Sequence, residues 1–181
     1  MISEFKRIGD MLFFMGLVDA SSGNMSTKVK DGIWITKTGK SLYGLKSKDI
    51  VKIGFERDVR WNAASSEVEL HVNIYKTIDK ASAIIHAHSP YTVALSVVYS
   101  KIIPIDHEGK LFLKQVDVLD IKNWDEAKNA IAQYFNETEN KIVIAKGHGV
   151  FAFSDNLFDA LKLVSALEFS SKIIYLKENI K

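Results

Sequence analysis

The segment from Ala81 to Pro90, ASAIIHAHSP, constrains the chain more than any other stretch. The apolar run Ala83-Ile84-Ile85 is that of a strand buried in a core, and Ser89 followed by Pro90 has the pattern of a helix N-cap with proline at the first helical position. Side chains along a strand alternate between faces, so His86 and His88 present both imidazoles to one side at the C-terminal end of that strand. Such a pair either marks where the strand leaves the core or supplies two ligands of a metal site. Further ligands elsewhere in the chain decide between the two.

The sequence narrows what those ligands can be. None of the 181 residues is cysteine, which excludes disulfides, thiolate metal sites and a cysteine nucleophile. Any metal has to be bound by His, Asp or Glu. With 47% hydrophobic and 25% charged residues the chain reads as one globular domain over 1–181, long enough to bury a core without a staple. The formal net charge is +2 with no long basic run, which argues against a nucleic-acid partner while leaving room for a small pocket that takes one phosphate. At the N-terminus, Glu4, Lys6, Arg7 and Asp10 break an apolar run too short to span a bilayer, so a cytoplasmic protein with no membrane partner is expected.

Periodicity assigns most of the remaining elements. Phe5, Ile8, Met11, Leu12 and Met15 recur at helical spacing and predict a first helix that lays this face on the core, ending near Gly16. NMSTKVKDGIWIT reads as two short strands joined by Lys30-Asp31-Gly32, a hairpin signal because Asp and Gly both tolerate positive φ. DIVKIGF alternates as a third strand. The spacing of Ser66 and Glu69 predicts a helix beginning near Ser66 and carrying Leu70, Ile74 and Ile78 inward. KIIPIDHEGKLFLKQVDVLD reads as extended segments around a glycine, and NWDEAKNAIAQYF as a helix capped by Asn123. KIVIAKGHGVFAFS reads as two strands around a Gly-His-Gly turn, followed by a long closing helix.

His148, between Gly147 and Gly149, is a plausible third ligand, since flanking glycines permit a tight turn and close approach. Three imidazoles are what a catalytic zinc site needs, the fourth position staying open. Ser65 and Ser66 open the helix before the His-x-His strand, where hydroxyls and free N–H groups favour an anion. Ser21, Gly23 and Asn24, and Thr38 with Gly39, are similar stretches able to wrap a phosphate, although each alone reads equally as a cap or a turn. Glu67 is the acid placed to point into the same pocket. His71 reads as a packed or solvated helix residue. The cluster Asp106, His107 and Glu108 reads as a source of a second acid or base, or as a polar turn.

In this order, SSGNMS, ITKTG, SSE, HAHSP and KGHG resemble the motif set of the class II aldolase and adducin family, and within it the chain is most similar to the fuculose-phosphate aldolases. The resemblance runs from about Ser21 to the last helix. It implies an α/β fold in which a central, largely antiparallel sheet is covered by helices on both faces, assembled as a homotetramer with active sites between subunits. It implies one zinc ion per chain on His86, His88 and His148, Glu67 as the acid/base, and Ser21, Gly23, Asn24, Thr38, Gly39, Ser65 and Ser66 around the phosphate of a sugar substrate. The activity implied is reversible cleavage of a ketose 1-phosphate such as fuculose 1-phosphate into dihydroxyacetone phosphate and a small aldehyde such as lactaldehyde. The same scaffold serves pentulose-phosphate 4-epimerases, a methylthioribulose-phosphate dehydratase and non-catalytic adducin-type binding modules.

The chain departs from the family pattern at the aldehyde end. Glu108 in IPIDHEG stands where bacterial aldolases carry a tyrosine that reaches a neighbouring active site, and the family's tail with its catalytic tyrosine has no clear counterpart after the last helix. Asp106, His107 or Glu108 is therefore expected to make the intersubunit contact to the aldehyde.

Overall fold

The computed structural model describes residues 1–180. Eight strands form one sheet: β1 (Asn24–Val29), β2 (Gly32–Thr36), β3 (Ile50–Ile53), β4 (Ala83–Ala87), β5 (Lys101–Ile102), β6 (Val116–Leu119), β7 (Ile142–Ala145) and β8 (Gly149–Ser154). Their order across the sheet is β3-β2-β1-β4-β8-β7-β6-β5, and β6–β7 is the parallel pair. A parallel pair needs a crossover connection. Helix α5 (Trp124–Glu137) supplies it between β6 and β7. The other helices are α1 (Ile2–Phe14), α2 (Val68–Thr77), α3 (Pro90–Val98), α4 (His107–Phe112) and α6 (Leu157–Glu178).

β4 lies near the middle, antiparallel to both β1 and β8, and every one of its residues is buried. Alternation splits the strand between two cores. Ala83, Ile85 and Ala87 face a cluster built with Phe5, Ile8 and Leu12 of α1 and with Leu161, Val164 and Leu167 of α6. Ile84 faces the opposite cluster, formed with Leu70, Ile74 and Tyr75 of α2 and Ile131 and Phe135 of α5. Helices thus cover both faces of a mostly antiparallel sheet, the expected architecture.

Four local expectations are revised. Helix α2 starts at Val68 rather than Ser66, and the Ser66/Glu69 capping box does not form; Glu67 takes the N-cap position with no capping bond of its own. PIDHEG is not an extended turn, because Asp106 accepts a hydrogen bond from Gly109 N at 2.8 Å and opens α4. In the hairpin, Asp31 keeps negative φ and Gly32 alone takes the positive one, at 146°; the glycine is needed for space as well, since a Cβ there would lie 1.9 Å from the Ile53 carbonyl oxygen. Finally, Met15 falls outside α1 and is exposed, while Phe5, Ile8 and Leu12 carry the buried face.

Candidate metal centre and substrate cleft

The site forms where β1, β4 and β8 end beside the start of α2. In the sheet register Asn24 pairs with His86 across β1 and β4, and His86 pairs with Phe151 across β4 and β8. Directly opposite residues share a face, so Asn24, His86 and Phe151 all point toward α2. The His86 ring lies flat on Phe151, centroids 4.0 Å apart, and its Nδ1 donates to the Val150 carbonyl at 3.0 Å. That bond fixes the tautomer and leaves Nε2 as a free lone pair.

The two remaining imidazoles meet it. His86 Nε2 lies 2.8 Å from His88 Nε2 and 3.1 Å from His148 Nε2. Zinc–imidazole bonds of about 2.0–2.1 Å in a tetrahedron place the nitrogens about 3.3 Å apart, close to both of these separations, and all three ligand atoms lie within 4.8 Å of one another. Burial, the foremost cause, lowers the pKa of His86 to about 3 and also lowers that of His88, so both are neutral at physiological pH, the form that binds metal. Gly149 makes the convergence sterically feasible: a Cβ there would lie 2.5 Å from the Ala87 carbonyl oxygen, 2.8 Å from His86 Cε1 and 3.3 Å from His88 Cδ2. Three convergent imidazole nitrogens in a pocket that admits no side chain at Gly149 suit a metal ion, and His86, His88 and His148 form a group able to hold one.

Glu67 is buried beside them, its carboxylate oxygens 3.3 Å from His148 Nε2 and 3.5 Å from His86 Nε2. The Asn24 amide donates to Oε2 at 2.7 Å. Burial pushes this carboxyl up, but the His86 charge and the hydrogen bonds of His148 and Asn24 outweigh it and hold the pKa at about 2. Because His86 is neutral at pH 7, the hydrogen bonds are what keep Glu67 ionised there. The early end of α2 explains its reach: at the N-cap, outside helical geometry, its side chain turns back over β1 instead of outward with the helix surface.

All seven residues expected around a phosphate line the same cleft of about 250 Å³ as Glu67 and the three histidines. Asp19 ties its first loop, accepting from the Ser21 and Ser22 N–H groups at 2.7 Å each. Ser65 Oγ accepts from Glu67 N at 3.3 Å. Lys37 and Lys40 also line the cleft and were not foreseen, although both flank Thr38-Gly39 in the sequence; they supply the positive charge an anion needs. Trp124 was missed too. It lies over the His148 ring, centroids 4.0 Å apart, and only the fold brings α5 there. His71 is packed rather than solvated: fully buried, its Nδ1 lies 2.7 Å from Ser26 Oγ. Asp106, His107 and Glu108 do not line the cleft of their own chain.

The class II aldolase and adducin N-terminal domain family matches residues 3–175. The chain belongs to this family. An L-fuculose phosphate aldolase of Methanocaldococcus jannaschii is 32% identical over 98% of this chain and 97% of its own length. A methylthioribulose-1-phosphate dehydratase of Methylococcus capsulatus is 30% identical over 92% and 89%, so more than one branch of the family lies at this distance. Among solved structures, the L-fuculose-1-phosphate aldolase of Thermus thermophilus superposes with a TM-score of 0.92 at 32% identity, covering 98% of this chain and 93% of that one. No helix among the described residues is long and apolar enough to cross a membrane.

Proposed function

We propose that this family member is a zinc-dependent aldolase that reversibly cleaves a ketose 1-phosphate, such as fuculose 1-phosphate, into dihydroxyacetone phosphate and a small aldehyde such as lactaldehyde. The observation that carries the reading is the placement of one ionised, buried carboxylate, Glu67, within 3.5 Å of two imidazoles of a three-histidine group, in a cleft that also holds the serine, threonine and lysine residues suited to a phosphate.

His86, His88 and His148 would hold the metal, which supplies Lewis-acid stabilisation of the negative charge left on the ketone half when the bond between C3 and C4 breaks. Ser21, Gly23, Asn24, Thr38, Gly39, Ser65 and Ser66, with Lys37 and Lys40, grip the phosphate and fix the substrate's reacting carbons at the Glu67 end of the cleft. As the C3–C4 bond breaks the C4 hydroxyl gives up its proton and C3 gains one; Glu67, resting as the carboxylate, takes up one proton during cleavage, delivers it to C3 and ends as the carboxylate again, and in the condensing direction it removes the same proton. Asn24 steadies the carboxylate through both halves of the exchange. The protein works as a cytoplasmic homotetramer whose active sites lie between subunits, and His107 or Glu108, exposed on the first turn of α4, contacts the aldehyde half in a neighbouring site. Asp106 is the weaker candidate, being engaged as the cap of α4.

The dehydratase relative at 30% identity supports a second reading, loss of water from methylthioribulose 1-phosphate. Zinc-loaded protein incubated with fuculose 1-phosphate, a pentulose phosphate and methylthioribulose 1-phosphate separates these. Release of dihydroxyacetone phosphate is expected. An epimer or a dehydrated product instead would reassign the reaction within the family, and no conversion of any of the three would overturn the enzymatic reading.

A further inference from the structure

The three imidazoles are not held alike. His86 is fixed through Nδ1 to the Val150 carbonyl. His148 is covered by Trp124, and its turn is anchored where Gly147 N donates to the buried Ser96 Oγ at 2.9 Å. For His88, no hydrogen bond from a protein group to Nδ1 is found among the described residues, so its position follows from the backbone on either side. On one side is the β4–β8 ladder, which ends at Ala87. On the other is the start of α3, two residues downstream.

That start is built unusually. Ser89 occupies the N-cap yet makes no capping bond, and its Oγ is buried without a partner. Pro90 has no N–H to satisfy, and Val93 N reaches the Ser89 carbonyl at 2.9 Å. Two orphan donors of the first turn remain, Tyr91 N and Thr92 N. Both go to a single carboxylate from α6: Glu168 Oε1 accepts from Tyr91 N and Oε2 from Thr92 N, each at 2.9 Å. Thr92 Oγ1 adds a third bond to Oε2 at 2.8 Å. The negative charge also lies at the positive end of the α3 dipole. A residue 77 positions along the chain from Tyr91 thus does the work that Ser89 leaves undone.

We propose that Glu168 is the positioning residue for His88: by pinning the first turn of α3 to α6 it sets the backbone path through Ser89 and Pro90, and with it the placement of an imidazole whose Nδ1 has no protein hydrogen bond among the described residues and which, unlike His148, no tryptophan ring covers. This rests on the reading of the three histidines as a metal centre. Its consequence is that metal affinity and coordination geometry are set partly from α6, outside the cleft.

The test uses the full chain loaded with Co2+ or Zn2+. Zinc affinity is measured by chelator competition, cobalt geometry by visible absorption, and stability of the metal-free protein by urea unfolding. Outer partners of metal ligands usually contribute roughly 10- to 100-fold to affinity. Glu168→Ala is expected to weaken zinc binding by about that factor and to alter the cobalt spectrum, with Glu168→Gln intermediate because it keeps one acceptor oxygen for the two amides. Leu167→Ala, the neighbouring core residue of α6, should lower the urea midpoint while leaving zinc affinity within about threefold, so that a loss of affinity in Glu168→Ala is separated from general destabilisation. If Glu168→Ala does not fold, Thr92→Val removes one bond of the clamp and should lower affinity severalfold. Parental affinity and cobalt spectrum in Glu168→Gln and in either of the other clamp variants, with the parent binding metal, would overturn the proposal alone. A parent that binds neither ion would overturn the metal reading and this inference together.

Discussion

Replacing Gly149 by alanine tests the centre through sterics alone, because this glycine has an ordinary φ and the added methyl group changes no charge. The new Cβ would meet the Ala87 carbonyl oxygen at 2.5 Å and His86 Cε1 at 2.8 Å. A relaxed carbon–oxygen contact is about 3.3 Å, so β8 and β4 have to part by about 0.8 Å at this end, since a carbonyl in a ladder cannot swing aside. Metal sites tolerate ligand displacements of about 0.2 Å, so the shift carries His86 out of range of a shared ion. Overpacking of this kind costs about 1–3 kcal/mol of stability. Gly149→Ala should therefore remain folded with a lowered urea midpoint and lose zinc affinity by about tenfold or more in chelator competition. An alanine variant with parental zinc affinity would show that the three imidazoles do not act as one site held by the β4–β8 approach.

The remaining predictions concern single side chains. His86→Ala and His148→Ala should each lose nearly all bound zinc by metal analysis, and normal occupancy in either would remove that residue from the ligand set. Glu67→Gln keeps the shape and the contact to Asn24 but cannot exchange the proton, so it should retain zinc while turnover falls by about 10²–10⁴-fold; a rate within a few-fold of the parent would exclude Glu67 as the acid/base. His71 gives a pH dependence. Burial holds its pKa at about 4, against about 6.5 in the unfolded chain, so the unfolded state takes up the proton first and stability falls as pH drops from about 6.5 toward 4. The loss is of the order of 1.4 kcal/mol by pH 5.5, and His71→Gln should flatten that part of the urea-midpoint profile. Equal slopes in parent and variant would show that another group titrates there.

Short-range signals already determined much of this protein. The apolar run before His86, the Asn123 cap, the Asp-Gly hairpin and the spacing of Phe5, Ile8 and Leu12 place strands and helices correctly, because each depends on neighbours within one turn or one pleat. The strand alternation that puts His86 and His88 on one face is equally local, and the ordered motif set was enough to suggest the family. The meeting of those two with His148 is not local. It depends on the register that sets β8 beside β4, on a missing Cβ at Gly149, and on Ser96 holding the turn from another helix. Glu67 was legible as the acid, but its contacts were not, since the capping-box pattern pointed to a helix beginning two residues too early. Lys37 and Lys40 were legible beside Thr38-Gly39, whereas Trp124 and Glu168 carry no sequence signal of a role at this site, because each acts on groups brought near only by packing of the helices around the sheet. Sequence determined which chemical groups the chain owns and the faces on which local structure presents them. Tertiary structure decided which of them share one cleft, because distances of 3 Å between residues dozens of positions apart are set by strand register and helix docking, and neither leaves a periodic trace in the chain.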